Sequence, residues 1–448
     1  MNSKANRPVR IGICGLGTVG GGTYQLLREN RAEIARRLGR QLEVCHIASR
    51  TPKPQYEAAD VTSSTDVFAV AEDPQVDVLV ETIGGFEPAL QLVERAIENG
   101  KHVVTANKAL IALHGNELFE KAAKKGVVIA YESAVAGGIP IIKALREGLA
   151  ANSIQWLAGI INGTGNFILT EMAEKQRDFV EVLKEAQELG YAEADPTFDI
   201  EGIDAAHKLT ILASIAFGIP LQFDKTYTEG ISAITTDDVR YARELGYVIK
   251  HLGVARKTER GVEMRVHPTL ISSKRLIAHV NGVMNAVLVK GDSVGATLYY
   301  GAGAGAEATA SSVVADIMDI ARAASDGDVA TLSGLMPPLA FNELNAELPI
   351  LPISEIDTAY YLKIQAQDKV GVMAKISSVL QDFEINIEAV IQKEPEVHGA
   401  DKVPVVILTD VVREKQIDQA IEALGALPEV TAKIARIRVE ELDSEESR

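Results

Sequence analysis

The chain of 448 residues predicts an α/β protein: a doubly wound parallel sheet first, an α+β segment with an antiparallel sheet next, and a small βαββαβ module last. Three observations point there. Short apolar runs alternate with helical patterns as far as Tyr131. The alternation breaks down after the run Ala134 to Pro140. Proline density then rises at Pro337-Pro338 and from Pro349 to Pro352, ahead of a final periodic segment. At roughly 100 to 200 residues per domain, this length corresponds to two to four domains.

Composition narrows the function classes. Hydrophobic residues make up 47% and charged residues 24%, ordinary globular usage that excludes wholesale disorder. The formal charge of -17, from 62 acids against 45 bases, argues against a nucleic-acid partner, since phosphate neutralisation needs a basic face. No apolar run approaches the roughly 18 residues of a membrane span, and Met1 to Arg10 has no signal-peptide pattern. A soluble cytoplasmic protein without a membrane partner is expected. Cys14 and Cys45 fall on separate predicted strands with no partner at metal-ligand spacing, so both are expected as reduced, buried core residues.

The first predicted strand, Val9 to Cys14, stops at Gly15, and a helical pattern follows Gly20. Further strands are expected at Leu42 to Ala48, Val76 to Thr82, His102 to Thr105 and Val127 to Tyr131. Helices at Ala89 to Asn99 and Asn116 to Lys125 are closed by Gly100 and Gly126, both suited to a left-handed cap. The first turn, Gly15-Leu16-Gly17-Thr18-Val19-Gly20, is a G-x-G-x-x-G between strand and helix. Its glycines permit the turn, let backbone N-H groups approach a pyrophosphate and let helix and strand pack closely, which defines a Rossmann-type dinucleotide site. The second strand ends Ala48-Ser49-Arg50 without the acid that holds a ribose 2′-hydroxyl. Arg50 instead offers a planar fork for a 2′-phosphate, so NADP is expected, with NAD usable.

In the second segment, Asn152 to Asn162 contains an apolar strand, and Gly163-Thr164-Gly165 reads as a ligand-facing loop. Helices are expected around Phe167 to Glu174 and Phe179 to Leu189. The stretch Gly190 to Lys208 then crowds Glu193, Asp195, Asp199 and Asp204 beside Lys208, at the polar end of an apolar helical run Leu209 to Phe217. Asp204 and Lys208 are an i, i+4 pair on one helix face. On spacing alone that pair is equally a helix salt bridge; the concentration of acids favours a polar-substrate site. Carbonyl reduction by a nicotinamide needs a proton donor for the developing alkoxide, and a lysine supplies both charge and proton. Lys208 qualifies, and so does Lys108 in Thr105-Ala106-Asn107-Lys108, at the C-terminal end of a parallel strand where the cofactor crevice lies. No Tyr-x-x-x-Lys pair, zinc cluster or G-x-S-x-G motif offers another mechanism, and His207 is assigned no role. From Met264 to Tyr300 an antiparallel sheet is expected as the floor of the site, with a hairpin turn at Gly291-Asp292. The loop Gly301 to Ala306 leads into an apolar helix and is either a phosphate-receiving loop or a crossover back to the first domain.

The last segment reads strand Tyr360 to Gln365, helix Val372 to Gln381, strand Ile385 to Ile391, strand Val405 to Thr409, helix Glu414 to Ala423 and strand Ala432 to Val439, a ferredoxin-like order. Such a module either cements an oligomer or senses a ligand. The expected boundaries are 1–140 for the nucleotide domain, completed by a helix around 306–335; 141–305 for a substrate-binding and dimerisation domain; 336–356 for a linker; 357–440 for the regulatory module; and 441–448 for a disordered tail.

The run Ala186 to Lys208, A-x-x-x-G-Y-A-x-x-D-P-x-x-D-I-x-G-x-D-x-x-x-K, closely resembles the signature of the homoserine dehydrogenase family. Thr105 to Lys108, Asn162-Gly163-Thr164 and the Gly301 to Gly305 loop are similar to that family in the right order, although Gly165 stands where many relatives carry a second threonine. The remainder resembles an ACT domain, with Asp368, Gly371, Val372 and Asn386 at its ligand-binding positions. The resemblance implies NAD(P)-dependent interconversion of L-homoserine and L-aspartate 4-semialdehyde, a step shared by threonine, isoleucine and methionine biosynthesis, with threonine as effector. It implies Lys208 as proton donor supported by Asp204, Lys108 touching cofactor and substrate, and Gly163, Thr164, Tyr191, Glu193 and Asp199 around the substrate. It places Gly305 beside the cofactor. It also implies a monovalent cation, sodium, held by the Glu132 carboxylate and the carbonyls of Val135, Gly137 and Ile139, and a homodimer or homotetramer. Two rivals remain open at this point: an oxidoreductase of the same fold acting on another small amino or hydroxy acid, and a non-catalytic amino-acid sensor.

Overall fold

The structure, a computed structural model, describes residues 7–324, 337–393 and 401–442. The chain divides into two compact units, each assembled from three separated segments: residues 1–163, 204–226 and 284–348 in the first, and 164–203, 227–283 and 349–448 in the second.

The first unit carries the parallel sheet. Strands β1 (Val9–Cys14), β2 (Leu42–Ala48), β3 (Thr62–Ser64), β4 (Val78–Glu81), β5 (His102–Thr105) and β6 (Ile129–Ala130) lie in the order β3-β2-β1-β4-β5-β6. Every pairing is parallel. This is the doubly wound order, whose reversal on either side of β1 opens a crevice at the carboxyl ends of the strands. The expected strands are all present; β3, three residues without an apolar run, has no sequence signal. Gly100 and Gly126 adopt φ of +71° and +68°, as their cap positions require. The helix Ala306–Ala324 returns to this unit, where Val313, Ile317 and Ile320 pack with Ile11, Ile13, Tyr24 and Leu27. Residues 325–335 of the helix expected around 306–335 lie outside the described residues. Cys14 is fully buried, but Cys45 is only half-buried, a correction that follows from its place on β2 towards the sheet edge.

A second sheet of this unit joins β7 (Ile154–Ile160) to β11 (Met284–Gly291) and β12 (Gly295–Ala302), all antiparallel. The helix Ile203–Phe217 belongs to the same unit and is buried along almost its whole length.

In the second unit the strands β9 (Tyr247–Thr258), β10 (Gly261–Ser272), β13 (Asp357–Gln367), β14 (Ile387–Gln392), β15 (Lys402–Thr409) and β17 (Ala435–Glu440) run in the order β9-β10-β17-β13-β15-β14. Two short strands flank them, β8 (Tyr227–Thr228) beside β10 and β16 (Val412–Arg413) beside β13. The last four of the main order, with helices Val372–Asp382 and Glu414–Gly425, form the expected ferredoxin-like module around Tyr360, Leu362, Ile376, Ile407 and Ile417.

The serial arrangement of a substrate domain, a linker and a separate module needs correction. Thr269 to Ile271 of β10 pair in parallel with Arg438 to Glu440 of β17, so the hairpin β9–β10 and the module share one sheet. The buried Arg265 of β10 holds Glu263 and Glu440 together. Nor is the linker loose. Pro349 and Leu351 exchange backbone hydrogen bonds with Val262 of β10, while Tyr131 donates to the carbonyl of Pro338 in the first unit at 2.5 Å. Glu440 ends β17 as a buried residue and Leu442 is buried, so the chain is docked beyond the start of the expected tail at 441. Residues 443–448 lie outside the described residues.

Candidate active site

The crevice of the parallel sheet is built by its glycine turn. Gly15 has φ +94°, and a Cβ on it would lie 2.7 Å from the carbonyl of Thr82. On Gly20 a Cβ would lie 1.8 Å from the carbonyl oxygen of Gly15, so the helix Thr18–Glu29 can approach the strand only because this residue has no side chain. Gly17 has nothing within 4 Å of its missing Cβ and leaves the helix N-terminus open. A cleft of about 590 Å³ extends from Gly15, Leu16 and Gly17 past Arg50 and Lys53 to Thr82 and Gly84. These residues fit a dinucleotide. The glycine turn leaves room for a pyrophosphate, and Arg50 and Lys53 line the same cleft.

Beneath the crevice, the fully buried Glu81 accepts hydrogen bonds from Ile83 N (2.8 Å), Gly84 N (3.1 Å) and the Thr105 hydroxyl (2.5 Å). Thr105 Oγ1 in turn accepts from Asn107 N, and Asn107 caps the helix Lys108–Lys125 through Leu110 N. Lys108 is thereby fixed at the first position of a helix, aimed from the end of β5.

Lys108 and the pair Asp204–Lys208, from two separate motifs, converge. Asp204, with a side chain only 4% exposed, receives Lys108 Nζ on Oδ1 at 2.9 Å and Lys208 Nζ on Oδ2 at 2.7 Å. Asn162 Nδ2 also donates to Oδ2 at 2.9 Å, and Lys208 donates to the carbonyl of Ile161 at 2.7 Å. Burial alone would push the Asp204 carboxyl up; the two lysines and Asn162 override it and hold the carboxyl well below the usual range. The site therefore carries one buried anion and two cations, a local excess of positive charge that suits a developing alkoxide. His207 stacks on Phe223 with ring centroids 4.3 Å apart, and burial holds its pKa down at about 4, so it is neutral at physiological pH. Asn162 and the Ile161 carbonyl are functional groups that the charge pattern did not single out, since neither titrates.

Gly163-Thr164-Gly165 corrects an expectation: these residues form the first turn of the helix Gly163–Lys175 instead of a loop. Thr164 Oγ1 donates to the carbonyl of Tyr191 at 2.6 Å, and the Tyr191 ring meets Phe167 edge-on. Thr164 and Tyr191 are thus brought together. Glu193 is exposed and its carbonyl accepts from Gln187; Asp199 is half-buried in the short helix Thr197–Ile200. Asp195 is also exposed and accepts from Thr197 N, a local turn bond. Of the four acids of this stretch, only Asp204 is buried.

Glu132 is 1% exposed, with carboxylate oxygens accepting from Ile142 N at 2.9 Å and Lys143 N at 2.8 Å. Burial, then the neighbouring Asp316, pushes its pKa up to about 8, and burial raises Asp316 to about 6. The Gly137 carbonyl accepts from Ser312 and that of Ile139 from Ile141 N, leaving each a second lone pair. Two buried carboxyls, with Lys143 3.7 Å from Asp316 and backbone carbonyls beside them, fit a hard monovalent cation. Gly305, at φ +120°, precedes the helix Ala306–Ala324. In the C-terminal module Asp368, Gly371 and Asn386 are exposed, Gly371 at φ +91°, whereas the Val372 side chain is buried in the module core.

A dinucleotide crevice and a lysine-bracketed aspartate define a nicotinamide-dependent oxidoreductase. Three family models match: the homoserine dehydrogenase NAD-binding domain over residues 15–132, homoserine dehydrogenase over 140–318, and the ACT domain over 360–429. The chain is 62% identical over 438 residues to a homoserine dehydrogenase of Pseudomonas aeruginosa, covering 98% of this chain and all of that one. It is 53% identical to that of Neisseria gonorrhoeae, with 97% and 99% covered. The crystal structure of a homoserine dehydrogenase from Thiobacillus denitrificans superposes with a TM-score of 0.92 at 57% identity, covering 98% of this chain and 99% of that one. A hyperthermophilic archaeal homoserine dehydrogenase in complex with NADPH superposes at 0.61 with 28% identity, covering 76% of this chain and all of that one. The chain belongs to the homoserine dehydrogenase family, with an NAD-binding domain and a C-terminal ACT domain.

Proposed function

We propose that the protein oxidises L-homoserine to L-aspartate 4-semialdehyde and reduces it back, with NADP preferred and NAD usable, in the cytoplasmic route to threonine, isoleucine and methionine. The observation that carries this reading is the pair of ammonium groups on the buried Asp204. When bound, the nicotinamide accepts a hydride from C4 of homoserine or returns it to the aldehyde. Lys208 as the neutral amine takes the hydroxyl proton in the oxidative direction, and as the ammonium it gives that proton to the developing alkoxide in the reductive one. Asp204 orients Lys208 and offsets its charge, and Lys108 spans from the cofactor crevice towards the substrate. Thr164, Gly163, Tyr191, Glu193 and Asp199 surround the amino-acid end. Arg50 and Lys53 select the 2′-phosphate.

Glu132 and the carbonyls of Val135, Gly137 and Ile139 hold a sodium ion that is structural. Threonine binds the ACT module around Asp368, Gly371 and Asn386, with Val372 contributing backbone only, and the enzyme works as a homodimer or homotetramer. The test is turnover of purified protein with L-homoserine and NADP, read at the nicotinamide absorbance, across a panel of small hydroxy amino acids. Homoserine is expected to be preferred; no turnover with any of them would leave a non-catalytic sensor. Millimolar threonine is expected to inhibit the wild type and to act less on Asn386→Ala.

A further inference from the structure

Between the ACT module and the acidic signature lies a short strap, Glu229 to Ser232, held at both ends. One end is electrostatic. Arg438 of β17, with a side chain 1% exposed, donates Nη1 to Glu229 Oε2 at 2.7 Å and Nε to Glu414 Oε2 at 2.8 Å; a second guanidinium nitrogen also reaches Glu414. The Tyr227 hydroxyl adds a 2.8 Å bond to Glu229 Oε2, and the guanidinium lies over the Tyr227 ring at 4.9 Å. Arg436 approaches the same carboxylate at 3.7 Å.

The other end is made of close backbone approaches. Ile231 N donates to the carbonyl of Ile200 at 2.9 Å, and Ser232 Oγ donates to Glu201 Oε1 at 2.9 Å. A Cβ on Gly230 would lie 2.7 Å from the carbonyl oxygen of Ile200, so only glycine lets the strap lie against the turn. Between the two ends, buried His251 donates Nε2 to the carbonyl of Glu229 at 2.9 Å. The same imidazole meets Gly202, where φ is +82° and a Cβ would lie 3.0 Å from the ring. The turn Ile200 to Gly202 follows Asp199 and stands two residues ahead of Asp204 in the chain.

We propose that Glu229, clamped by Arg438, is a positioning residue for substrate binding: it sets the height of the strap and thereby the turn that joins Asp199 to the helix of Asp204. This rests on the reading of Asp199 and Asp204 as substrate-side groups. Arg438 joins β17 to the strap through the Glu229 carboxylate, alongside the backbone bond from Glu229 N to the Val266 carbonyl of β10 at 2.8 Å, so a displacement of β17 is passed to the substrate turn by that carboxylate. The effect expected of the strap falls on homoserine and not on the dinucleotide.

The experiment is steady-state kinetics on the full chain. Glu229→Gln keeps the shape and an acceptor oxygen but removes the charge, and the Glu229 side chain is 30% exposed, which limits the folding cost. The KM for homoserine is expected to rise about tenfold, the scale of one charge-assisted hydrogen bond, with kcat and the KM for NADP within about twofold of wild type. Ser232→Ala, at the exposed far end, is expected to shift the homoserine KM the same way by about threefold, and the double variant to fall short of the product of the two. Folded variants with an unchanged homoserine KM, equal shifts in both substrates, or strictly multiplicative effects would overturn the proposal. Inactivity of the wild type on homoserine would instead overturn the functional reading and is scored separately.

Discussion

Lys208 and Asp204 stand one helical turn apart with 2.7 Å between Nζ and Oδ2, and the carboxylate is buried while it also receives Lys108 on its other oxygen. An isolated i, i+4 pair on a helix surface stabilises by a few tenths of a kcal/mol. Here the anion has left water and is held between two ammonium groups, so the arrangement is tuned for charge placement more than for stability.

Lys208→Ala is expected to lower kcat by about 10²-fold or more while leaving the KM for NADP near wild type, as the loss of a general acid does. Single-turnover hydride transfer checks it. A variant with wild-type turnover would remove Lys208 from the mechanism.

Arg50→Ala is expected to raise the KM for NADP about tenfold and leave that for NAD within about twofold, since on the proposed reading the guanidinium meets only the 2′-phosphate. Parallel titrations with both cofactors decide the matter, and equal losses would show that Arg50 serves the loop instead.

Lys250 supplies a pH test in the second unit. Its ammonium is buried against neutral acceptors, Asn166 Oδ1 at 3.3 Å, the Val280 carbonyl at 2.6 Å and Asn281 Oδ1 at 3.0 Å, and burial pushes its pKa down to about 8. A base whose folded pKa lies below its unfolded value binds fewer protons when folded, so stability rises with pH across that window. Between about pH 8 and 10.4 the wild type should gain roughly 3 kcal/mol relative to Lys250→Met, with the cost of the buried charge fully present below pH 8. Denaturant unfolding of both proteins at several pH values measures this, and parallel curves would contradict it.

Replacing sodium by a bulky organic cation at constant ionic strength is expected to lower the Tm of the wild type by a few degrees, in line with about 1 kcal/mol of lost binding. Glu132→Gln should be insensitive to the exchange. Calorimetric scans in the two salts compare them, and an equal response of both proteins would place the ion elsewhere.

Much of this architecture is legible in local pattern. The strand ends and glycine caps of the parallel sheet follow from apolar runs and from Gly100 and Gly126, and the module's six elements follow from periodicity. Asp204 and Lys208 are readable because both lie on one helix with fixed spacing. What escaped is non-local or uncharged. The bond from Asn162 to Asp204 joins residues 42 apart in the chain, and an amide carries no titration signal. The fragment Gly163-Thr164-Gly165 reads as a loop because glycine disfavours helices, yet it is tolerated in a first turn whose N-H groups have no intrahelical partner. The pairing of β10 with β17 joins strands that the sequence separates by a hairpin, a helix and most of the module, and no periodicity encodes a partner.

That pairing alters how the C-terminal module can be dissected. Cutting the chain near Pro349 would strip β10 of its neighbour along Thr269 to Ile271 and take Glu440 from the buried Arg265, leaving a raw sheet margin and a half-compensated guanidinium. Such a fragment should clump whether or not the module senses anything, so its silence towards threonine would carry no meaning. The proposed regulation has to be interrogated by single side chains, because the module is also a wall of the sheet that it shares with β10.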